Sequence, residues 1–100
     1  MKGLGVDIIE IERIKDALER HSRFKERFFT AAEREYCAEY KQAAPHYAGR
    51  FAAKEAVVKA LGTGFSGFKW QDVEVVAGDQ GQPQVKLYNQ AQQIADQQGI

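Results

Sequence analysis

The chain has 100 residues, 44% hydrophobic and 28% charged, and its 14 basic and 14 acidic side chains leave a formal net charge of zero. That length fits one small domain, and the balanced charge gives no long-range attraction to nucleic acid. The lone Cys37 excludes an intramolecular disulfide and a cysteine-based zinc site; no apolar run approaches the ~20 residues of a membrane span, and charge enters by Glu10, too early for a secretory signal, so a reducing cytosol is the expected setting.

In chain order, Gly3 to Ile11 is a short apolar run rich in β-branched residues, which predicts a strand over about Lys2 to Ile8. Asp7 stands inside that run. Aspartate is a poor strand residue, and a buried carboxylate needs a partner or a metal. Equally, Asp7 can end the strand and cap the helix that follows. That helix is predicted over about Glu10 to Arg20, with Ile11, Ile14 and Leu18 on one face and charged residues, Arg13 among them, on the rest. Phe24, Phe28 and Phe29 anchor a short turn or helix on the core. Thr30 and Glu33 have the spacing of a capping box, which starts a helix to about Lys41 with Tyr36 and Tyr40 on one face.

Past Pro45 the chain restarts in its most informative segment, Arg50 to Gly62. Ala, Lys, Glu and Leu are good helix formers, and Phe51, Val57, Val58 and Leu61 make one apolar arc. Alanines fill most of the remainder, so this helix is expected to pack on more than one side. Glu55 is the only acidic residue between Glu39 and Asp72, among the basic Lys41, Arg50, Lys54, Lys59 and Lys69. Glu55 and Lys59 lie one turn apart. They suit either an ordinary exposed ion pair or a site for phosphate and a hard divalent metal, which takes one or two carboxylates plus phosphate oxygens. Gly62, Gly64 and Gly67 end the helix in a loop. Asp72 to Val76 and Gln84 to Tyr88 read as strands of a hairpin whose turn spans Gly78 to Pro83. Asn89 is the expected cap of a last helix to about Gln98, ended by Gly99. The class is α+β, a small antiparallel sheet packed against helices.

Gly5-Val6-Asp7, Phe29-Thr30-Ala31-Ala32-Glu33, Tyr36-Cys37, Arg50 through Ala60 and Gly62-Thr63-Gly64, in that order and spacing, resemble the holo-acyl-carrier-protein synthases. These are the small bacterial members of the 4′-phosphopantetheinyl transferase superfamily, and the likeness covers nearly the whole chain. It implies transfer of the 4′-phosphopantetheine arm of coenzyme A to a serine of apo-acyl carrier protein, with release of adenosine 3′,5′-bisphosphate, in fatty acid biosynthesis. It also implies Mg²⁺ held by Asp7 and Glu55, with Lys59 on the phosphates and leaving group, and Glu55 or a metal-bound water as general base. Arg50 and Lys54 match basic residues near the coenzyme A phosphates. Gly81 and Pro83 lie where the family approaches the adenine, against a plain turn role. Arg13 matches an arginine that meets the acidic carrier protein, against an ordinary solvated charge. The family is typically trimeric, with active sites between subunits, and continues into a further strand bearing a histidine. The expectation is therefore a single domain over 1–100, C-terminally incomplete, for which a non-catalytic form binding coenzyme A or carrier protein weakly is the alternative. His21 and His46 are expected at the surface, and Cys37 as a small buried hydrophobe.

Overall fold

The computed structural model describes residues 7–62 and 68–99. The expected strand, up to residue 6, lies outside them, as do Thr63, Gly64 and Gly67 of the expected loop. Helix α1 spans Ile8–Arg20 and starts earlier than its sequence pattern suggests. The reason is local: Asp7 is extended, and its Oδ1 accepts a 2.8 Å hydrogen bond from the Glu10 N–H, so the helix begins at Ile8. Ile8, expected in the strand, is thus helical, and it and Ile9 are exposed.

Helix α2 covers Phe24–Phe28 and α3 covers Ala31–Ala38. Thr30 and Glu33 form the capping box in full. Helix α3 stops short of Lys41 because Glu39 and Tyr40 donate to the carbonyls three residues back, Tyr36 and Cys37, and this tighter bonding closes the last turn. Helix α4, Ala44–Leu61, has Pro45 in its first turn, where a missing N–H costs nothing, and ends at Gly62 with φ 74°. A 3₁₀ turn at Trp70–Asp72 leads into strand β1, Val73–Ala77, which pairs antiparallel with β2, Pro83–Leu87. Helix α5, Asn89–Gln98, follows and ends at Gly99 in the left-handed region.

The hairpin register runs from Val73 opposite Leu87 to Ala77 opposite Pro83, one residue away from the expected limits on each strand. Asp72 leaves the ladder because its carboxylate accepts from the Lys69 N–H and from Asn89 Nδ2, each at 3.0 Å. Asn89, expected as a helix cap, is instead the first residue of α5 with φ 53°, a conformation asparagine tolerates, and Tyr88 holds the cap position.

Helix α4 positions everything else. It packs against α1, α3, β1 and α5, as its nearly continuous apolar surface predicts. Its N-terminal half joins Tyr47 and Ala48 to Ile14, Phe29 and Cys37. Its C-terminal half joins Val58 and Leu61 to Phe68, Val73, Ala91 and Ala95. Phe51 links the two, in contact with Phe24, Phe28 and Phe29 and stacked on Trp70 at 5.0 Å.

Candidate active site

The charged side chains of α4 divide into enclosed and accessible groups. Lys54 has no exposed side-chain surface, and its Nζ lies 2.7 Å from Glu33 Oε1, on a carboxylate equally enclosed. Glu33 is fully engaged. Oε1 also accepts from the Thr30 N–H and Oε2 from the Val75 N–H, both at 2.8 Å. Burial pulls the Lys54 ammonium below the usual lysine range, and the Glu33 charge opposes that pull. The network continues outward: Thr30 Oγ1 donates to Glu74 Oε2, and the Tyr88 hydroxyl donates to Glu74 Oε1 at 2.9 Å, which pushes the Tyr88 hydroxyl above its usual range. Lys54, expected among the phosphate contacts, is therefore committed to a buried carboxylate and offers no surface to a ligand.

Glu55, the next residue, points about 100° around the helix from Lys54. It is half-buried and its carboxylate makes no ion pair or hydrogen bond among the described residues, although Lys59 stands one turn away and exposed. The ion pairs among the described residues join Arg13 to Glu10, Arg20 to Asp16 and Lys54 to Glu33. The ordinary Glu55–Lys59 surface pair is thus not formed.

Arg50 is 4% exposed. Its guanidinium carbon sits 3.8 Å from the centre of the Tyr36 ring, and its Nε is buried with no hydrogen-bond partner. The Tyr40 hydroxyl donates to that of Tyr36 at 3.0 Å, and the Tyr40 ring stacks on His46 at 3.6 Å. His46, expected at the surface, is half-buried against these rings; its desolvation and the nearby Arg50 charge lower its pKa. His21 is exposed. Cys37 is fully buried, and its thiol is pushed up to about 12 chiefly by desolvation.

Asp7 is exposed at the N-terminus of α1, which packs on α4; its Oδ1 serves the helix cap. Arg13 projects from the exposed face of α1, with a nitrogen 2.6 Å from Glu10 Oε1. Gly81, with φ 83°, closes the hairpin turn by donating from its N–H to the Gly78 carbonyl at 3.0 Å, and Pro83 opens β2 opposite Ala77. Gly81 thus has a role in the turn itself, and Pro83 in the strand that follows it. A groove of about 570 Å³ between α1 and the α3–α4 connection is lined by Ile8, Ile11, Leu18, Lys41 and Pro45, with none of the expected site residues. Among the described residues no group of three or more His, Cys, Asp or Glu is arranged to hold a metal. No helix among the described residues is long and apolar enough to cross a membrane.

Sequence reading placed Glu33 in its capping box but missed it as the partner of Lys54. The available signal was Lys54 itself, since a lysine within an apolar arc needs a buried acid.

The five α-helices and one antiparallel hairpin among the described residues are matched by known proteins. The model of the 4′-phosphopantetheinyl transferase superfamily matches residues 3–99. A holo-[acyl-carrier-protein] synthase of Alkaliphilus metalliredigens is 54% identical over 100 residues, which are all of this chain and 82% of the relative. A crystal structure of a holo-(acyl-carrier-protein) synthase from Bacillus anthracis in complex with CoA (3′,5′-ADP) is 40% identical with a TM-score of 0.71, over 87% of this chain and 76% of that one. A Plasmodium yoelii acyl carrier protein synthase with ADP bound is 31% identical with a TM-score of 0.73, over 90% of this chain and 71% of that one. The chain belongs to the holo-acyl-carrier-protein synthase family of the 4′-phosphopantetheinyl transferase superfamily, and is an enzyme of that class.

Proposed function

We propose that this chain transfers 4′-phosphopantetheine from coenzyme A to a serine of apo-acyl carrier protein, releasing adenosine 3′,5′-bisphosphate. The observation that carries this reading is Glu55, a half-buried carboxylate without a partner among the described residues, on the helix that also presents Lys59 to solvent. The names of its relatives, and the CoA (3′,5′-ADP) complex of the Bacillus anthracis one, support the substrates.

Phosphoryl transfer asks little covalent chemistry of a protein and much positioning and charge neutralisation. Arg50, enclosed over the Tyr36 ring, adds positive potential to this helix. Lys59 is the accessible cation for the pyrophosphate and for charge gathering on the leaving group. Glu55 is within one turn of Lys59 and takes the serine proton as that oxygen attacks phosphorus. A hard divalent ion fits the donor set, since Asp7 and Glu55 are oxygen ligands with capacity left and the diphosphate supplies others. Asp7 and Glu55 would hold Mg²⁺, whose chemistry there is to neutralise the pyrophosphate. Arg13, exposed on α1, is the contact for an acidic carrier protein. The wider setting we propose is the cytoplasm, in fatty acid biosynthesis, as a homotrimer with active sites between subunits.

Calorimetric titration of coenzyme A with and without Mg²⁺ tests the ligand half of this reading. Binding that tightens with Mg²⁺ in the wild-type chain, and no longer does so in Glu55→Gln, is expected. Coenzyme A binding indifferent to both changes would remove the metal pair from the proposal.

A further inference from the structure

We propose that the buried Lys54–Glu33 pair is the positioning element of the active site: it fixes the roll of α4 about its own axis and so the direction in which Glu55 and Lys59 point. The inference rests on the transferase reading above and adds two residues that do not touch substrate.

Three observations carry it. Glu33 joins three elements at one enclosed point, because its oxygens accept from Thr30 at the start of α3, from Lys54 on α4 and from Val75 in β1. Both members of the ion pair have no exposed side-chain surface, so neither can swing to water and re-form the contact elsewhere. Glu55 has no partner of its own among the described residues, so the helix that carries it sets its Cα–Cβ direction and with it the space its carboxylate can reach. The Phe51 stack on Trp70 and Arg50 over Tyr36 hold α4 one turn or more before Glu55; beside Glu55 itself the helix has little else to set its roll. Ala52, Ala56 and Ala60 are exposed, and the apolar contacts of Val58 and Leu61 are non-directional. A charged hydrogen bond to a carboxylate held from two further sides is directional. The leverage is large: a roll of about 10° moves a group ~6 Å from the helix axis by ~1 Å. A misplacement of ~1 Å costs about 100-fold in rate.

The test compares wild type with Glu33→Gln/Lys54→Met, which removes both charges together and strands neither, and with Lys54→Arg, which keeps the charge but overfills the enclosed space. Folding is checked by cooperative melting, coenzyme A affinity by calorimetry, and kcat and KM by conversion of apo-acyl carrier protein. We expect kcat to fall by about 100-fold in the double variant and by roughly tenfold in Lys54→Arg, with Kd for coenzyme A measured without Mg²⁺ changing by much less than kcat. Should the double variant not fold, Lys54→Arg alone carries the test. Wild-type kcat in a folded variant overturns the inference and leaves the pair purely structural. Lost coenzyme A affinity with kcat intact also overturns it, making Lys54 a phosphate contact. A wild-type chain that transfers nothing overturns the transferase reading itself, and the inference with it.

Discussion

Replacing Lys54 with methionine strands the Glu33 carboxylate in a site where neither partner has any exposed surface. Removing one member of a buried pair costs about 3–5 kcal/mol, because the other charge is left without compensation. The lower end applies, since Glu33 keeps the Thr30 and Val75 N–H donors, each at 2.8 Å. A loss of about 3 kcal/mol lowers Tm by roughly 12–24 °C in a domain of this size. It is also a large share of the ~5–15 kcal/mol that holds such a domain together. In the double variant Glu33→Gln/Lys54→Met the glutamine amide has one acceptor and one donor. It satisfies only one of the two N–H groups and leaves the other unpaired at a cost of about 1–3 kcal/mol. Thermal melts and urea titrations near neutral pH should therefore rank wild type above the double variant and the double variant above Lys54→Met. A Lys54→Met variant within about 0.5 kcal/mol of wild type, or a double variant less stable than it, would refute the reasoning.

Asp7→Asn should abolish most transfer while preserving α1, because asparagine caps a helix as well as aspartate does; Glu55→Gln should do the same, and circular dichroism beside a transfer assay separates lost charge from lost fold. Full activity in either variant removes the metal assignment. Arg13→Glu should weaken carrier-protein affinity by roughly tenfold at low ionic strength and less as salt is added, with coenzyme A affinity unchanged. Carrier affinity equal to wild type in low salt would return Arg13 to an ordinary solvated charge. Burial raises the Cys37 thiol from its ordinary 9.0 to about 12, so the unfolded chain releases that proton first as pH rises. The stabilisation is complete below the unfolded value and is lost between there and the folded one, at up to about 1.4 kcal/mol per pH unit. Urea midpoints of wild type and Cys37→Ala, compared at about pH 8 and about pH 10.5, should therefore converge on the alkaline side. A gap between the two that stays constant contradicts this.

What the sequence revealed was mostly what neighbours in the chain decide. The capping box of Thr30 and Glu33, the proline start and glycine end of α4, and the turn after β1 are set by contacts within a few residues, and each stands where the pattern put it. The misplaced limits of β1 and α5 have tertiary causes. Asp72 leaves the strand for contacts with Lys69 and Asn89, and Asn89 gives up the cap for the same contact. Asp7 shows how one residue can satisfy two readings, since its Oδ1 caps α1 and leaves carboxylate capacity for a ligand. The family motif on α4 was legible because its residues are consecutive. The enclosure of Lys54 was not, because its partner lies 21 residues away on another helix. A charge run along one helix does not say which of its members faces inward.

The mass of a carrier protein decides most directly whether this chain is a transferase. Apo-acyl carrier protein incubated with this chain, coenzyme A and Mg²⁺ should gain one 4′-phosphopantetheine arm by intact mass spectrometry, with adenosine 3′,5′-bisphosphate appearing in equal amount, and neither should appear when Glu55→Gln replaces the wild type. A carrier that keeps its apo mass, under conditions in which a known synthase converts it, would contradict the assignment of α4 as a catalytic helix.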